Sequence, residues 1–122
     1  MEAKGSLRFG REMRLRSSAD FARVKESGRR LVKGCLIANW TEQTQSATLR
    51  LGVITPKNIG PAVQRSRARR LLREAFRQNQ RRLRAPLELV LVARPSIRGK
   101  CLADVERDFL QLMRQARVLV EE

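Results

Sequence analysis

Residues 51–76 read LGVITPKNIGPAVQRSRARRLLREAF, and the changes of pattern within and around them decide the fold. Leu49, Leu51 and Val53 alternate with Thr48 and Arg50, the period-two rhythm of a strand over residues 47–55. Pro56 to Pro61 breaks the sheet, and Pro61 stands where proline is favoured at a helix start. Beyond it Ala68, Leu71, Leu72, Ala75 and Phe76 recur at i, i+3, i+4, i+7 and i+8, the apolar stripe of a helix over residues 61–80. Arg69, Arg70, Arg73 and Arg77 fall on the opposite side, with Arg65 and Arg67 nearer the flanks. A loop over residues 81–86 follows, and residues 87–94 (LELVLVAR) are apolar on both faces, as in a strand at the middle of a sheet. Strand, helix and strand make a β-α-β unit whose strands are parallel.

Outward from that unit, Ser17-x-x-Asp20 reads as a capping box opening a helix over residues 18–27 that stops at Gly28. Residues 31–40 (LVKGCLIANW) are β-rich, with Val32, Leu36, Ala38 and Trp40 on one face. A polar connection over residues 41–46 predicts a hairpin between that strand and the strand at 47–55. Leu102, Val105, Phe109, Leu112 and Ala116 mark a C-terminal amphipathic helix. The expected architecture is α+β: a single two-layer domain over residues 14–119 in the order α-β-β-α-β-α, with a small sheet. A basic arm over residues 1–13 precedes it.

The chain has 122 residues, 27 of them Lys or Arg and 12 Asp or Glu, a net charge of +15. That length suits one domain with its own core, and 42% hydrophobic residues is the composition of an ordinary globular chain. The charge calls for an acidic partner. It consists of 22 Arg against 5 Lys, and the planar arginine fork grips phosphate bidentately and stacks on bases. Residues 1–100 carry a net +17 and residues 101–122 a net −2, so the last helix lies off the basic surface. Nine arginines fall between Arg65 and Arg84 with one acid, Glu74. A charged helix face is normally laced with carboxylates at i±4; one that leaves its repulsion uncompensated suits phosphates.

Enzyme chemistry finds little footing. The chain has no His and no Tyr, which removes the commonest general base and metal ligand. Cys35 and Cys101 stand 66 residues apart without a CxxC pair, the pattern of reduced core thiols rather than a zinc site. Asp104 and Asp108 sit four apart on the last helix and read as a solvated face. No GxxxxGK(S/T), GxSxG or HExxH motif occurs. No catalytic side chain, metal site or cofactor is expected in the protein. Residues 1–16 lack a signal-peptide apolar stretch, and the longest apolar run is far too short to span a bilayer. A soluble cytoplasmic protein with no membrane partner and no obligate protein partner is expected. Charge alone leaves open a ribosomal or other structural RNA-binding protein, or a DNA-binding module using the same helix.

Residues 51–76 further resemble the signature of the protein component of bacterial ribonuclease P. The matching positions are Ile59-Gly60, Ala62-Val63, Arg65, Arg67, Arg69-Arg70, Arg73-Glu74 and Phe76. Arg14-Leu15, Asp20-Phe21, Gly28 and residues 89–95 (LVLVARP) have the family's spacing too, so the likeness runs from about Arg14 to Arg117. Ser66 stands where the family has an amide, Lys25 where a second aromatic is typical, and Asn39 where an aromatic is common.

The resemblance implies a ribosomal protein S5 domain 2-like fold with a left-handed β-α-β crossover, against the right-handed rule that general chirality favours. It implies a subunit of a ribonucleoprotein endonuclease whose RNA, using magnesium, removes the 5′ leader of precursor tRNA. Arg65, Ser66, Arg67, Arg69, Arg70 and Arg73 would contact the catalytic RNA, with Lys57 and Asn58 flanking them. A cleft between the first helix and the sheet would take the leader, with Phe21 stacking on a base, Lys25, Lys33 and Arg50 beside phosphates, and Trp40 nearby. Phe21 reads equally as core packing with Val24, and Trp40 as a sheet-face core residue.

Overall fold

The computed structural model describes residues 13–15, 17–42, 44 and 48–120. The arm expected over residues 1–13 therefore lies, apart from Met13, outside the described residues. Helix α1 (Ser18–Ser27) is opened by Ser17, whose Oγ accepts the Asp20 amide at 3.0 Å, and closes where the Gly28 amide donates to the Val24 carbonyl. Four strands follow the expected α+β plan: β1 (Arg29–Lys33), β2 (Leu36–Thr41), β3 (Leu49–Ile54) and, after helix α2 (Ala62–Asn79), β4 (Leu87–Ala93). Helix α3 (Leu102–Ala116) ends the order. Past it, the Val120 amide donates to the Arg82 carbonyl and the Arg84 amide to the Val118 carbonyl, tying the chain end to the segment after α2.

Two expectations about the sheet change. Residues 31–40 are not one strand but the two arms of a tight hairpin, because Gly34 turns the chain at φ +56°. Glycine inside a β-rich run marks such a bend, since it enters the left-handed region without a Cβ clash. Val32 consequently does not share a face with Leu36, Ala38 and Trp40. It pairs with Ile37 and is 41% exposed. The expected hairpin between the strand ending near residue 40 and the one starting near 47 is absent as well. Strand β4 lies between them, in the order β1-β2-β4-β3, antiparallel to β2 and parallel to β3.

The parallel β3–β4 pairing with α2 in between is the β-α-β unit read from the sequence. On one face Leu87, Leu89, Leu91 and Ala93 of β4 join Leu36, Ala38 and Trp40 of β2 and Leu49 and Leu51 of β3. Ala68, Leu72, Ala75 and Phe76 of α2 and Val105, Phe109, Leu112 and Met113 of α3 cover that face and form the main core. On the other face Val90 packs with Val24 of α1 and Leu15, and Phe21, Ile54 and Val92 border this smaller cluster. Residues before α1 also lie along β3: the Leu15 amide donates to the Leu51 carbonyl at 2.8 Å.

Phe76 is wholly buried where α2 meets the sheet. Phe76→Ala is expected to lower stability by about 3–5 kcal/mol through reduced burial and a residual cavity, measured by denaturant unfolding.

Candidate nucleic-acid interface

The apolar stripe of α2 faces the core, so its arginines are turned outward. Ser66, Arg69, Arg70 and Arg73 line a surface groove of about 520 Å³, together with Arg14, Glu74 and Arg77. The one acid of this wall among the described residues is already engaged: Glu74 accepts from Arg77 Nε at 2.9 Å and Nη2 at 2.6 Å, and from Gln78 Nε2 at 2.7 Å. Those bonds hold its carboxyl at about 2. Among the described residues Arg69, Arg70 and Arg73 make no ion pair. Burial, followed by the like charges of Arg14 and Arg69, lowers the pKa of Arg73. Clustered guanidiniums that make no ion pair among the described residues suit closely spaced anions.

The remaining residues expected around this groove take different places. Arg67 is drawn to the flank, where its Nη2 donates to the Lys100 carbonyl at 2.6 Å. Arg65 Nε is buried with no acceptor among the described residues. Lys57 and Asn58 are exposed on a 3-10 turn (Lys57–Ile59) just before α2, outside the groove wall.

The residues expected to form a cleft divide between the two faces of the sheet. Phe21 is half-buried on the α1 face, its ring so close over Gly52 that a Cβ there would stand 2.4 Å from Phe21 Cε1. Arg50 lies on the same face, and Lys25 is exposed four residues beyond Phe21 on α1. Lys33 is in register with Leu36 and Trp40 with Leu89, which puts both on the face that α3 covers; Trp40 is buried there. A second groove of about 260 Å³ runs past Phe21, Leu15, Gly52 and Val53 and shares Arg14 and Arg73 with the first. The arginine face and the Phe21 side are thus continuous around the edge of β3.

Three charged residues here went without a role in the sequence reading: Glu88, Arg23 and Arg14. Glu88, within a strand expected to be apolar on both faces, is a buried carboxylate on the α1 side. It accepts from Arg23 Nη2 at 2.6 Å, Thr44 Oγ1 at 2.9 Å and Arg50 Nη1 at 3.4 Å. Arg23 Nη1 also donates to Asp20 at 3.0 Å, and Arg50 Nη2 reaches the Arg14 carbonyl at 3.4 Å. Burial opposes ionisation of Asp20, but bonds from Arg23 and Ser17 and the charges of Arg23 and Arg50 outweigh it and lower its pKa. The visible signal was an acid inside an apolar strand, which must find cations if it is buried. Arg14, the third, had matched a family position without being given a role.

No cluster of three or more His, Cys, Asp or Glu side chains suited to a metal occurs among the described residues, and no described helix is long and apolar enough to cross a membrane. Of the two thiols expected in the core, Cys35 is buried but Cys101 is exposed. Fold and groove define a class: a small basic α+β domain whose groove is lined mainly by guanidinium groups among the described residues. Within that class the chain belongs to the ribonuclease P protein family, whose model, described as Ribonuclease P, matches residues 9–117. The ribonuclease P protein component of Desulfatibacillum aliphaticivorans is 39% identical over 90 residues, 74% of this chain and 75% of the relative. That of Syntrophobacter fumaroxidans is 37% identical over 110 residues, 89% and 92% of the two chains. The solved structure of the Staphylococcus aureus RNase P protein is 22% identical with a TM-score of 0.79, covering 87% of this chain and 96% of its own.

The resemblance read from residues 51–76 is therefore borne out, and so is the α+β class. The family is the protein subunit of ribonuclease P, a ribonucleoprotein endonuclease of tRNA 5′-end processing.

The Glu74 pair has a pH signature. Its carboxyl is depressed from the ordinary 4.5 to about 2 in the folded state. The stability it contributes is present above 4.5 and disappears as pH falls through the folded value. Melting temperature is expected to drop between about pH 4.5 and 2, and less steeply in Glu74→Gln, as thermal scans at stepped pH would record.

Proposed function

We propose that the protein serves ribonuclease P by binding its catalytic RNA with the arginine face of α2 and the 5′ leader of precursor tRNA beside Phe21, while the RNA performs the cleavage. The observation that carries this reading is the groove in which Arg69, Arg70 and Arg73 gather without an ion pair among the described residues. Arg65, Ser66 and Arg67, with Lys57 and Asn58 on the turn before the helix, belong to the same contact region. In this reading residues 14–119 are one RNA-binding domain and residues 1–13 an additional basic arm. The particle works in the cytoplasm without an obligate protein partner.

Leader binding is assigned to Phe21, Lys25 and Arg50, which share the α1 side of the sheet. Lys33 and Trp40 stand across the sheet from them, outside this leader-binding side. The shared Arg14 and Arg73 join this side to the groove, so one RNA-binding track can serve both partners. A protein of this kind raises the activity of an RNA catalyst by neutralising phosphate repulsion, by extending contacts to the substrate and by favouring magnesium on the RNA. Magnesium is thus the RNA's cofactor.

Added to a bacterial ribonuclease P RNA at low magnesium, the protein is expected to stimulate cleavage of precursor tRNA. Absence of stimulation would contradict the reading. The combined Arg69→Ala, Arg70→Ala and Arg73→Ala variant is expected to bind that RNA more weakly. Its plot of log K against log salt should be shallower by about 2–3, at roughly 0.7–0.9 for each phosphate left without its arginine. Phe21→Ala is expected to weaken precursor tRNA with a leader by about 1–3 kcal/mol, the worth of one stacked base, and to leave leaderless tRNA unaffected in the same binding titration.

A further inference from the structure

The end of the domain where β3 and β4 finish carries a basic surface that the groove does not include. The turn Lys57–Ile59 packs there against a second 3-10 turn, Pro95–Ile97. Lys57, Arg94 and Arg98 are exposed on these two turns and their margins. Arg98 lies beside the start of α2. A Cβ built on Gly60, whose φ of +133° already favours glycine, would lie 3.3 Å from Arg98 Nη1 and 3.6 Å from Gln64 Cβ. The bond from Arg67 Nη2 to the Lys100 carbonyl ties the same loop to the helix. Arg94 leans the other way, donating to the Gly34 carbonyl at 3.0 Å.

The charges at this end are not balanced locally. Among the described residues neither Arg98 nor Lys57 is bonded to a carboxylate, and the first turn of α2 has no acid. Asp104, the nearest acid along the chain to Arg98, is engaged by the Cys101 amide and thiol and by Arg107. A guanidinium at the positive end of an 18-residue helix is repelled by the helix dipole. An anion placed there offsets both charges. Arg67 faces this loop, whereas Ser66, Arg69, Arg70 and Arg73 line the groove, so α2 carries basic chemistry on both flanks.

We propose that Arg98, beside Lys57 of the contact region already assigned, extends the phosphate-contacting surface for the catalytic RNA around the start of α2, so that this RNA grips α2 from two sides. The proposal rests on the function proposed above, since it assigns the surface to the RNA that the groove binds. Placement decides the partner: Arg98 and Lys57 adjoin the start of α2, whose exposed Ser66 and Arg70 line the first groove, while the groove past Phe21, Gly52 and Val53 includes neither Arg98 nor Lys57 among its described residues.

The test titrates wild type, Arg98→Glu, Arg98→Gln, Arg98→Lys and Arg70→Ala against a bacterial ribonuclease P RNA at several salt concentrations, with melting temperatures recorded alongside. Arg98→Glu is expected to bind about tenfold or more weakly at physiological salt. Arg98→Gln should give a salt slope shallower by roughly 0.7–0.9, the share of a single phosphate, and Arg98→Lys should stay close to wild type. All should melt near the wild-type temperature, because Arg98 is exposed. If Arg98→Glu and Arg98→Gln keep wild-type affinity and slope while Arg70→Ala weakens binding, this surface is refuted and the groove stands. An effect confined to the assembled particle's affinity for precursor tRNA would overturn the choice of partner. Wild type binding this RNA no better than a size-matched structured RNA would refute the proposed function and this surface together.

Discussion

Strand β4 is the member on which the other elements depend, because it is buried on both faces and paired on both edges. Its odd-numbered residues, Leu87 to Ala93, meet α2 and α3, and its even-numbered ones meet α1 and the segment before it. Parallel pairing with β3 requires a crossover, and α2 supplies it. A helix in that position must turn its alanines, leucines and Phe76 inward, which leaves its arginines with no direction but outward. The basic surface is a consequence of how the central strand is reached.

The same strand carries Glu88, and this single carboxylate organises the α1 side. Hydrogen bonds from Arg23, Arg50 and Thr44 bring a helix, a neighbouring strand and a loop to one point. The two faces of the sheet therefore treat arginine in opposite ways. On the α1 face Arg23 and Arg50 are matched to Glu88 and Asp20. On α2 the groove acid Glu74 is bound by Arg77 and Gln78, and Arg69, Arg70 and Arg73 make no ion pair among the described residues. Paired arginines position the helix, and those without an ion pair among the described residues are the ones proposed to meet RNA.

Much of this was legible from local pattern. The apolar stripe of α2, the Ser17 cap, the Gly28 stop and the C-terminal amphipathic helix all appear where periodicity and capping chemistry put them, since each depends on neighbours a few residues apart. The site was legible in residue type more than in arrangement. Arg69, Arg70, Arg73 and Ser66 do share one groove, because helical spacing alone sets them on one side. Trp40 and Lys33 were grouped with Phe21 on chemistry, yet strand register sends them across the sheet. Gly34 was visible as a break in a β-rich run, but its consequence, a two-strand hairpin, depends on what the next strand pairs with.

The order of residues along the chain was therefore enough for the α+β class, the outward arginine face of α2 and membership of the ribonuclease P family, all encoded in short-range periodicity and a long local signature. It took the folded molecule to establish that β4 separates β2 from β3, that Glu88 gathers Arg23 and Arg50, and that Arg98 stands against the start of α2. The reason is physical. Those contacts join residues tens of positions apart, and strand order and side-chain pairing across such distances are settled by how the whole core packs, not by the spacing of residues along the chain.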